Sequence, residues 1–253
     1  MIITLTTDFG HRDSFVGAMK GVLLGIAPEV QIVDIAHEIR PGDIRAAAFA
    51  LMTAAPFFPA GTIHLVVVDP GVGSARKAVA IRGAQATFLG PDNGVLSWAV
   101  KDECSLQIRS LENPEIRLPR LSATFHGRDL FAPAAAWLAR GRPFAQLGPE
   151  LNDFHRLDWP SATLAGGAWR TEIIHVDVYG NAITAVSAEQ AAGKQDVILP
   201  GERRVPIQPF YSAVGKGSPL AVVGSSGLLE IAINGGDAAN TLDLRPGTQV
   251  LVA

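Results

Sequence analysis

The sequence predicts an α/β fold followed by a smaller all-β region, on three features. Strand-like and helix-like runs alternate through roughly the first hundred residues. The stretch 148–167, with Pro149, Asn152, Asp153, Pro160 and a Gly166–Gly167 pair, loses clear periodicity. Beyond it only short β-type runs appear, separated by Gly, Pro, Asn and Asp clusters. The chain has 253 residues, 48% of them apolar and 18% charged, which supplies a sizeable core and excludes a disordered protein.

Residues 2–7 are a β-rich run with no basic start before it and Asp8 directly after it, so they read as a first strand and not as a secretory or transit leader. Residues 13–26 carry helical spacing through Phe15, Met19, Val22 and Leu23, and 30–35 are β-branched again, which completes a βαβ opening. An alanine-rich helix is expected over 42–55, stopped by Pro56. The uncharged run 46–63 is broken by Pro56, Pro59 and Gly61 before a helix could cross ~30 Å of hydrocarbon, so no membrane span is expected. Residues 64–68 are near-continuously apolar, as in a strand buried on both faces of a parallel sheet. Strands follow at 78–81, 86–89 and 105–108, with a short helix over 93–100, and an alanine-rich helix over 129–140 closes this half. Further strands are expected at 172–178, 182–186, 196–199, 219–223, 228–233 and 249–252. The resulting organisation is an α/β domain over 1–155, a linker at about 156–167 and a β domain over 168–253.

Composition narrows the function classes. Twenty-one basic against twenty-four acidic residues, a net charge of −3, is too balanced for a protein that lives on phosphate contacts, so no nucleic-acid partner is expected. Cys104 is the only cysteine, which rules out an internal disulfide and a multi-thiolate metal site within one chain and fits a reducing, cytoplasmic setting. The six histidines form no metal-ligand spacing, and Asp8, Asp69 and Asp177 are scattered, so no metal is expected.

Four loops hold polar residues that a turn alone does not need: TTDFGHRDS at 6–14, VVDPGVGSARK at 67–77, TFHGRD at 124–129 and DVYGN at 177–181. The first two follow strands, where ligands gather in open α/β sheets. Asp8 reads either as a turn former or as a carboxylate for both hydroxyls of a ribose, and Asp13 either as a helix N-cap or as part of the same loop. Asp69 lands at the sheet edge; Asp69-Pro70-Gly71 is also a good turn. The pattern Gly71-x-Gly73-x-x-Arg76 lacks the third glycine and the following helix of a dinucleotide loop, and instead lets Arg76 fold back on Asp69, as a catalytic pair or a plain salt bridge. His126 stands at a helix mouth, structural or functional. Tyr179 and Trp169 either stack a base or fill a core, and Ser225-Ser226-Gly227 and Asn234-Gly235 form turns that expose backbone donors.

Six segments in order, TDFGHRDSFVGAMKG, VVDPGVGSARK, GPDNGVL, TFHGRDLFAPAAA, DVYGN and SSGLLEIAINGG, resemble the S-adenosylmethionine (SAM) hydrolases of the SAM hydroxide adenosyltransferase family, relatives of the SAM-dependent fluorinases and chlorinases. The resemblance runs nearly end to end. It implies an N-terminal Rossmann-like α/β domain, a smaller C-terminal antiparallel β-barrel domain, and a homotrimer with active sites between subunits. It implies SAM as substrate and adenosine and L-methionine as products.

The family's Asp-Arg-His trio falls on Asp69, Arg76 and His126. Asp8 matches the ribose-binding aspartate, with Asp13 and Ser14 in the same ligand loop; Asp177 falls near the methionine amine, and Tyr179 and Asn181 at the adenine. Ser225, Ser226, Glu230, Asn234 and Gly235 match positions around the methionine carboxylate or the base edge, and Ser226 stands where halogenating relatives carry an arginine. Two alternatives stay open at this point: halide in place of water as the nucleophile, and a protein that binds adenosine or SAM without turnover. The trio favours water, because a halide carries no proton to remove, and the short spacing between Arg76 and GPDNGVL leaves no room for the extra loop of the fluoride-using relatives.

Overall fold

Strand β1 (Ile2–Thr7) is the pivot of the N-terminal sheet in the computed structural model, which describes residues 1–253. Helix α1 (Phe15–Ile26) carries the chain to β2 (Gln31–Ala36) on one side of β1, and α2 (Ile44–Ala54) carries it to β3 (Ile63–Val67) on the other. Strands β4 (Ala78–Arg82), β5 (Thr87–Pro91) and β6 (Gln107–Ser110) complete the sheet in the order β2-β1-β3-β5-β4-β6. Pairings among β2, β1, β3 and β5 are parallel; those of β4 with β5 and β6 are antiparallel.

Helices cover both faces of this sheet. Ile3, Leu5, Leu65 and Val67 pack against Met19 and Leu23 of α1 and against Ala134, Ala135 and Leu138 of α3 (Ala132–Ala139). Val66, Val68, Val79 and Ile81 on the reverse face pack against Ala47 and Leu51 of α2. Every residue of β3 is buried, which is why it reads as one apolar run with no alternation.

Helix boundaries differ from the periodicity in instructive places. Ser14, not Asp13, stands at the N-cap of α1, and its side chain makes no cap bond. Helix α2 begins at Ile44 because Asp43 caps it, accepting from the Ala46 amide at 2.9 Å. Residues 93–100 form only a short 3-10 turn at Ser97–Val100. The stretch 129–140 is two pieces: a wide π-type turn at Gly127–Phe131 that runs into α3, where Pro133 sits in the first turn and its missing N–H costs nothing.

The chain divides into compact units Met1–Leu157 and Asp158–Ala253. The second unit contains β7 (Thr163–Ala165), β8 (Ala168–Val176), β9 (Ala182–Ser187), β10 (Asp196–Ile198), β11 (Arg204–Pro206), β12 (Pro219–Val223), β13 (Leu228–Ile233) and β14 (Gln249–Val252). They run antiparallel in the order β11-β10-β14-β8-β9-β13-β12, with β7 beside β8. Just past β11, the Gln208 amide donates to Ala221 of β12 at 2.7 Å, so the sheet nearly closes into a barrel around Ile173, Val197, Leu229, Ile231 and Val250. The sequence gives no sign of β7 and β11, because three residues are too few to show a period.

His64, in the middle of β3, is fully buried and stacks on Phe88 of β5 at 5.1 Å. Its Nδ1 lies 2.8 Å from Thr4 Oγ1 of β1, and its Nε2 has no partner. Burial pushes its pKa down to about 4. The unfolded chain therefore takes up this proton first, from about pH 6.5 downward. The stability held by neutral His64 is complete above that pH and falls, by on the order of 3 kcal/mol, as pH approaches the folded value. Urea titrations at pH 7 and pH 4.5 are expected to show this loss, and His64→Phe is expected to shrink it; an unchanged pH dependence in the variant excludes His64 as its source.

Candidate active site

The carboxyl ends of β1 and β3 lie side by side, with Thr7 opposite Val67. The connections from β1 and β2 leave to opposite sides of β1 here, and this reversal opens a crevice at the strand ends. Asp8 follows β1 directly, and Asp69 follows β3 by one residue. His126 enters from the segment that leads into the wide turn before α3.

The sequence expectation that Arg76 folds back on Asp69 is what the structure shows. Arg76 Nε lies 3.0 Å from each Asp69 oxygen, and Arg76 Nη2 also bonds Oδ2. The same Nη2 lies 2.8 Å from His126 Nδ1. A guanidinium only donates, so Nδ1 accepts and the neutral ring carries its proton on Nε2. Burial and the neighbouring Arg76 charge push the His126 pKa below its ordinary value, against the opposite pull of Asp69 and Asp129. This pair is no exposed salt bridge, since the Asp69 side chain is 4% exposed and that of Arg76 11%.

The two loops that bring these groups together are interlocked through backbone. Ser74 Oγ donates to the Gly71 carbonyl at 2.7 Å and accepts from the Arg76 amide at 3.2 Å, which folds the 71–76 turn. Gly73, at φ +78°, passes so close to the 122–124 segment that a Cβ there would lie 2.3 Å from the Ala123 carbonyl oxygen. On the other loop, the buried Asp129 accepts from the Ser122 amide at 2.8 Å and from Arg128 Nε at 2.6 Å. The bonds from Arg128 and Ser122 outweigh the desolvation of Asp129 and hold its pKa low, so it stays an anchor for the turn that carries His126.

Asp8, Asp69 and His126 line one cavity of about 520 Å³, within the size range of ligand pockets. Phe9, Phe15 and Phe125 form an edge-to-face or tilted cluster in its wall, with centroids 5.3–5.8 Å apart. Asp8 Oδ2 accepts from the Gly42 amide at 2.8 Å. Thr7 Oγ1 lies 2.7 Å from His37 Nδ1, and the Gly10 amide donates to the His37 carbonyl at 2.8 Å, so the Asp8 loop is fixed at its base. Arg76 bonds the lining residues Asp69 and His126 without lining the cavity itself, and Asp13 and Ser14 are exposed residues outside its lining. In the sequence Phe15 reads only as part of the helical spacing over 13–26, and Phe9 and Phe125 carry no reading although each adjoins a singled-out residue.

The remaining candidates lie in the second unit. Tyr179, Asn181 and Gly235 line a cavity of about 520 Å³ together with Tyr211 and Asp237, neither of which the sequence analysis named. Asp177 Oδ1 accepts from the amides of Tyr179 and Asn181 at 2.9 and 2.8 Å, and Oδ2 from Asn181 Nδ2 at 3.0 Å, so this carboxylate builds the DVYGN turn. Gly180, at φ +81°, leaves room for Asp237, whose Oδ1 would lie 2.2 Å from a Cβ. Glu230 is 5% exposed and accepts from the Tyr211 hydroxyl. Desolvation and the nearby Asp177 charge push its pKa up, against the Tyr211 bond. Asn234 Nδ2 donates to the Val214 carbonyl at 2.8 Å. Ser225 lies exposed in the β12–β13 turn, and Ser226 Oγ beside it is buried without a partner.

The shared guanidinium makes a measurable prediction. Nitrogen NMR of the His126 ring is expected to show the Nε2–H tautomer and a pKa below 6.5; Arg76→Leu, which removes the cation and leaves Asp69 and Asp129, is expected to raise it. A pKa unchanged by this substitution excludes the contact.

Comparison with known proteins identifies the family. The SAM hydroxide adenosyltransferase N-terminal domain matches residues 3–148, and the corresponding C-terminal domain matches residues 171–251. A Thermus thermophilus protein named (R)-S-adenosyl-L-methionine hydrolase is 43% identical over 251 residues, covering 96% of each chain. An Actinoplanes protein named fluorinase is 28% identical over 288 residues, covering 99% of this chain and 97% of that one. The crystal structure of an uncharacterized conserved protein from Thermotoga maritima matches with a TM-score of 0.93 at 34% identity, covering 100% of both chains. With both family domains matched in order, and Asp69, Arg76 and His126 joined in one bonded set, the chain belongs to the SAM hydroxide adenosyltransferase family.

Proposed function

We infer that this protein hydrolyses S-adenosyl-L-methionine to adenosine and L-methionine, by attack of water on the ribose 5′ carbon. The observation that carries the mechanism is one guanidinium bonded to both Asp69 and His126 beside a cavity that also holds Asp8. The relatives' names support the substrate.

The sulfonium starts cationic and leaves as neutral methionine, so little charge builds up on the leaving group. The difficulty lies in holding water in line behind the C–S bond and in taking its proton. A carboxylate is a far weaker base than hydroxide, so complete transfer of a water proton ahead of attack is strongly uphill, which excludes a free hydroxide made in advance by Asp69 alone. The proton therefore moves to Asp69 as the C–O bond forms. Arg76 fixes the plane of that carboxylate, and His126 offers Nε2–H to the water oxygen. The tautomer argues for a donor role and against a histidine base. The reaction draws on no cofactor.

In the same reading Asp8 holds the ribose hydroxyls, with Asp13 and Ser14 at the rim of its loop. Tyr179 and Asn181 hold the adenine, and Asp177 attracts the methionine amine while it braces their turn. Ser225, Ser226, Asn234 and Gly235 serve the carboxylate or the base edge, and Glu230 contributes from beneath Tyr211. Halide as nucleophile is disfavoured by two carboxylates, Asp8 and Asp69, in the lining of one cavity. We also place the reaction in the cytoplasm, in line with the lone exposed Cys104, and propose a homotrimer with sites shared between copies; no helix is long and apolar enough to cross a membrane. Light scattering is expected to give three times 26.6 kDa.

Incubation with each sulfonium epimer of SAM in ¹⁸O-water is expected to give adenosine labelled at the 5′ oxygen. Asp69→Asn is expected to retain adenosine affinity within about threefold and to lose ~10²–10⁴-fold in kcat. Unlabelled product, or a variant with wild-type turnover, refutes the water-activation role.

A further inference from the structure

The GPDNGVL segment, 90–96, has no role in the account above, yet it lies against the loop that carries the catalytic pair. That loop begins after Val68 and ends before Lys77. Asn93 Nδ2 donates to the Val68 carbonyl at 2.9 Å, and Val68 immediately precedes Asp69. The Asp92 amide donates to the Lys77 carbonyl, also at 2.9 Å, and Lys77 immediately follows Arg76. Two consecutive residues after β5 thus hold the carbonyls at both ends of the Asp69–Arg76 loop.

Both clamp residues are themselves held. Asn93 Oδ1 accepts from the Val95 amide at 3.1 Å, and Asp92 Oδ1 accepts from the His155 amide at 2.7 Å. The bond at the Val68 end does what backbone cannot. The parallel β3–β5 register runs from Ile63↔Thr87 only to Leu65↔Leu89, so the carboxyl end of β3 projects beyond its ladder on that side. The side-chain amide of Asn93, two residues beyond β5, supplies a bond to the extension of β3 there, one residue short of Asp69.

We propose that Asn93 is a positioning residue for the reaction, acting through the Val68 carbonyl to hold the Asp69 carboxylate at the attacking water. It touches neither water nor substrate. A misplacement of about 1 Å at a reacting group costs on the order of 10²-fold in rate, so a single anchoring bond at this point is expected to show in turnover. The proposal rests on Asp69 activating the nucleophile, as inferred above.

The test uses full-length Asn93→Asp and Asn93→Ala, with the wild type and Asp69→Asn in parallel. Asn93→Asp keeps the size and the acceptor for Val95 but sets a carboxylate oxygen against the Val68 carbonyl. Its kcat for SAM is expected to fall at least ~10-fold, with KM and adenosine affinity within about threefold. Its deficit relative to the wild type is expected to narrow as pH falls toward the carboxylic acid range, ~4–5, where the new carboxyl can donate again. A purely architectural role gives no such narrowing, and kcat, KM and melting temperature then worsen together; that result overturns the proposal, as does a kcat within twofold of wild type. Failure of both variants to fold assigns Asn93 to the framework and overturns it too. If Asp69→Asn loses turnover while Asn93→Asp does not, the clamp alone is wrong; if Asp69→Asn keeps turnover, the water-activation reading fails first.

Discussion

One guanidinium, that of Arg76, is shared between a carboxylate and an imidazole, and the arrangement of the candidate site depends on that sharing. Through Nε and Nη2 it engages both oxygens of Asp69, and through the same Nη2 it fills the lone pair of His126 Nδ1. The first contact fixes the plane of the Asp69 carboxylate. The second decides which nitrogen of His126 holds one. Both side chains are largely withdrawn from water, so the interaction escapes the screening that weakens an exposed ion pair.

The fold exists, at this end, to bring two separate loops together at that guanidinium. The reversal of the chain around β1 places the ends of β1 and β3 together, and the interlock of Gly73 with Ala123 draws the His126 segment onto the Asp69–Arg76 turn. None of these contacts uses a long flexible side chain as its spacer. Backbone against backbone leaves few ways to drift, which is how a site formed from loops gains the rigidity of one built on strands.

Much of this was legible in the residues. The apolar run at 64–68 announced a strand buried on both faces, and the missing third glycine in Gly71-x-Gly73-x-x-Arg76 separated a folded-back arginine from a phosphate loop. The GPDNGVL segment could be seen as a motif but not interpreted, because its partners at Val68 and Lys77 are contiguous with it only in the folded sheet. Tyr211, Phe9 and Phe125 were missed, and Phe15 was read only as a helix-face residue, for a related reason: aromatic residues look alike in sequence whether they fill a core or face a cavity. Asp13 read either as a helix cap or as a loop residue, and α1 starts one residue too late for the cap. Asp177 and Glu230 were expected around the substrate's methionine portion or base edge, and their hydrogen bonds show how much of each carboxylate is also committed to neighbouring protein groups.

The wide turn at Gly127–Phe131 has a consequence for how such a site arises. A π-type turn carries one residue more than an α-helical one, and in a regular helix each residue rotates its neighbours by about 100°. The alanine-rich helix beyond the turn has to keep one seat on the sheet, while the histidine before it has to aim at a guanidinium. A continuous α-helix would tie aim to seat, so that any gain in one disturbed the other. The extra residue uncouples them, and the imidazole can be directed without unseating the helix that supports it.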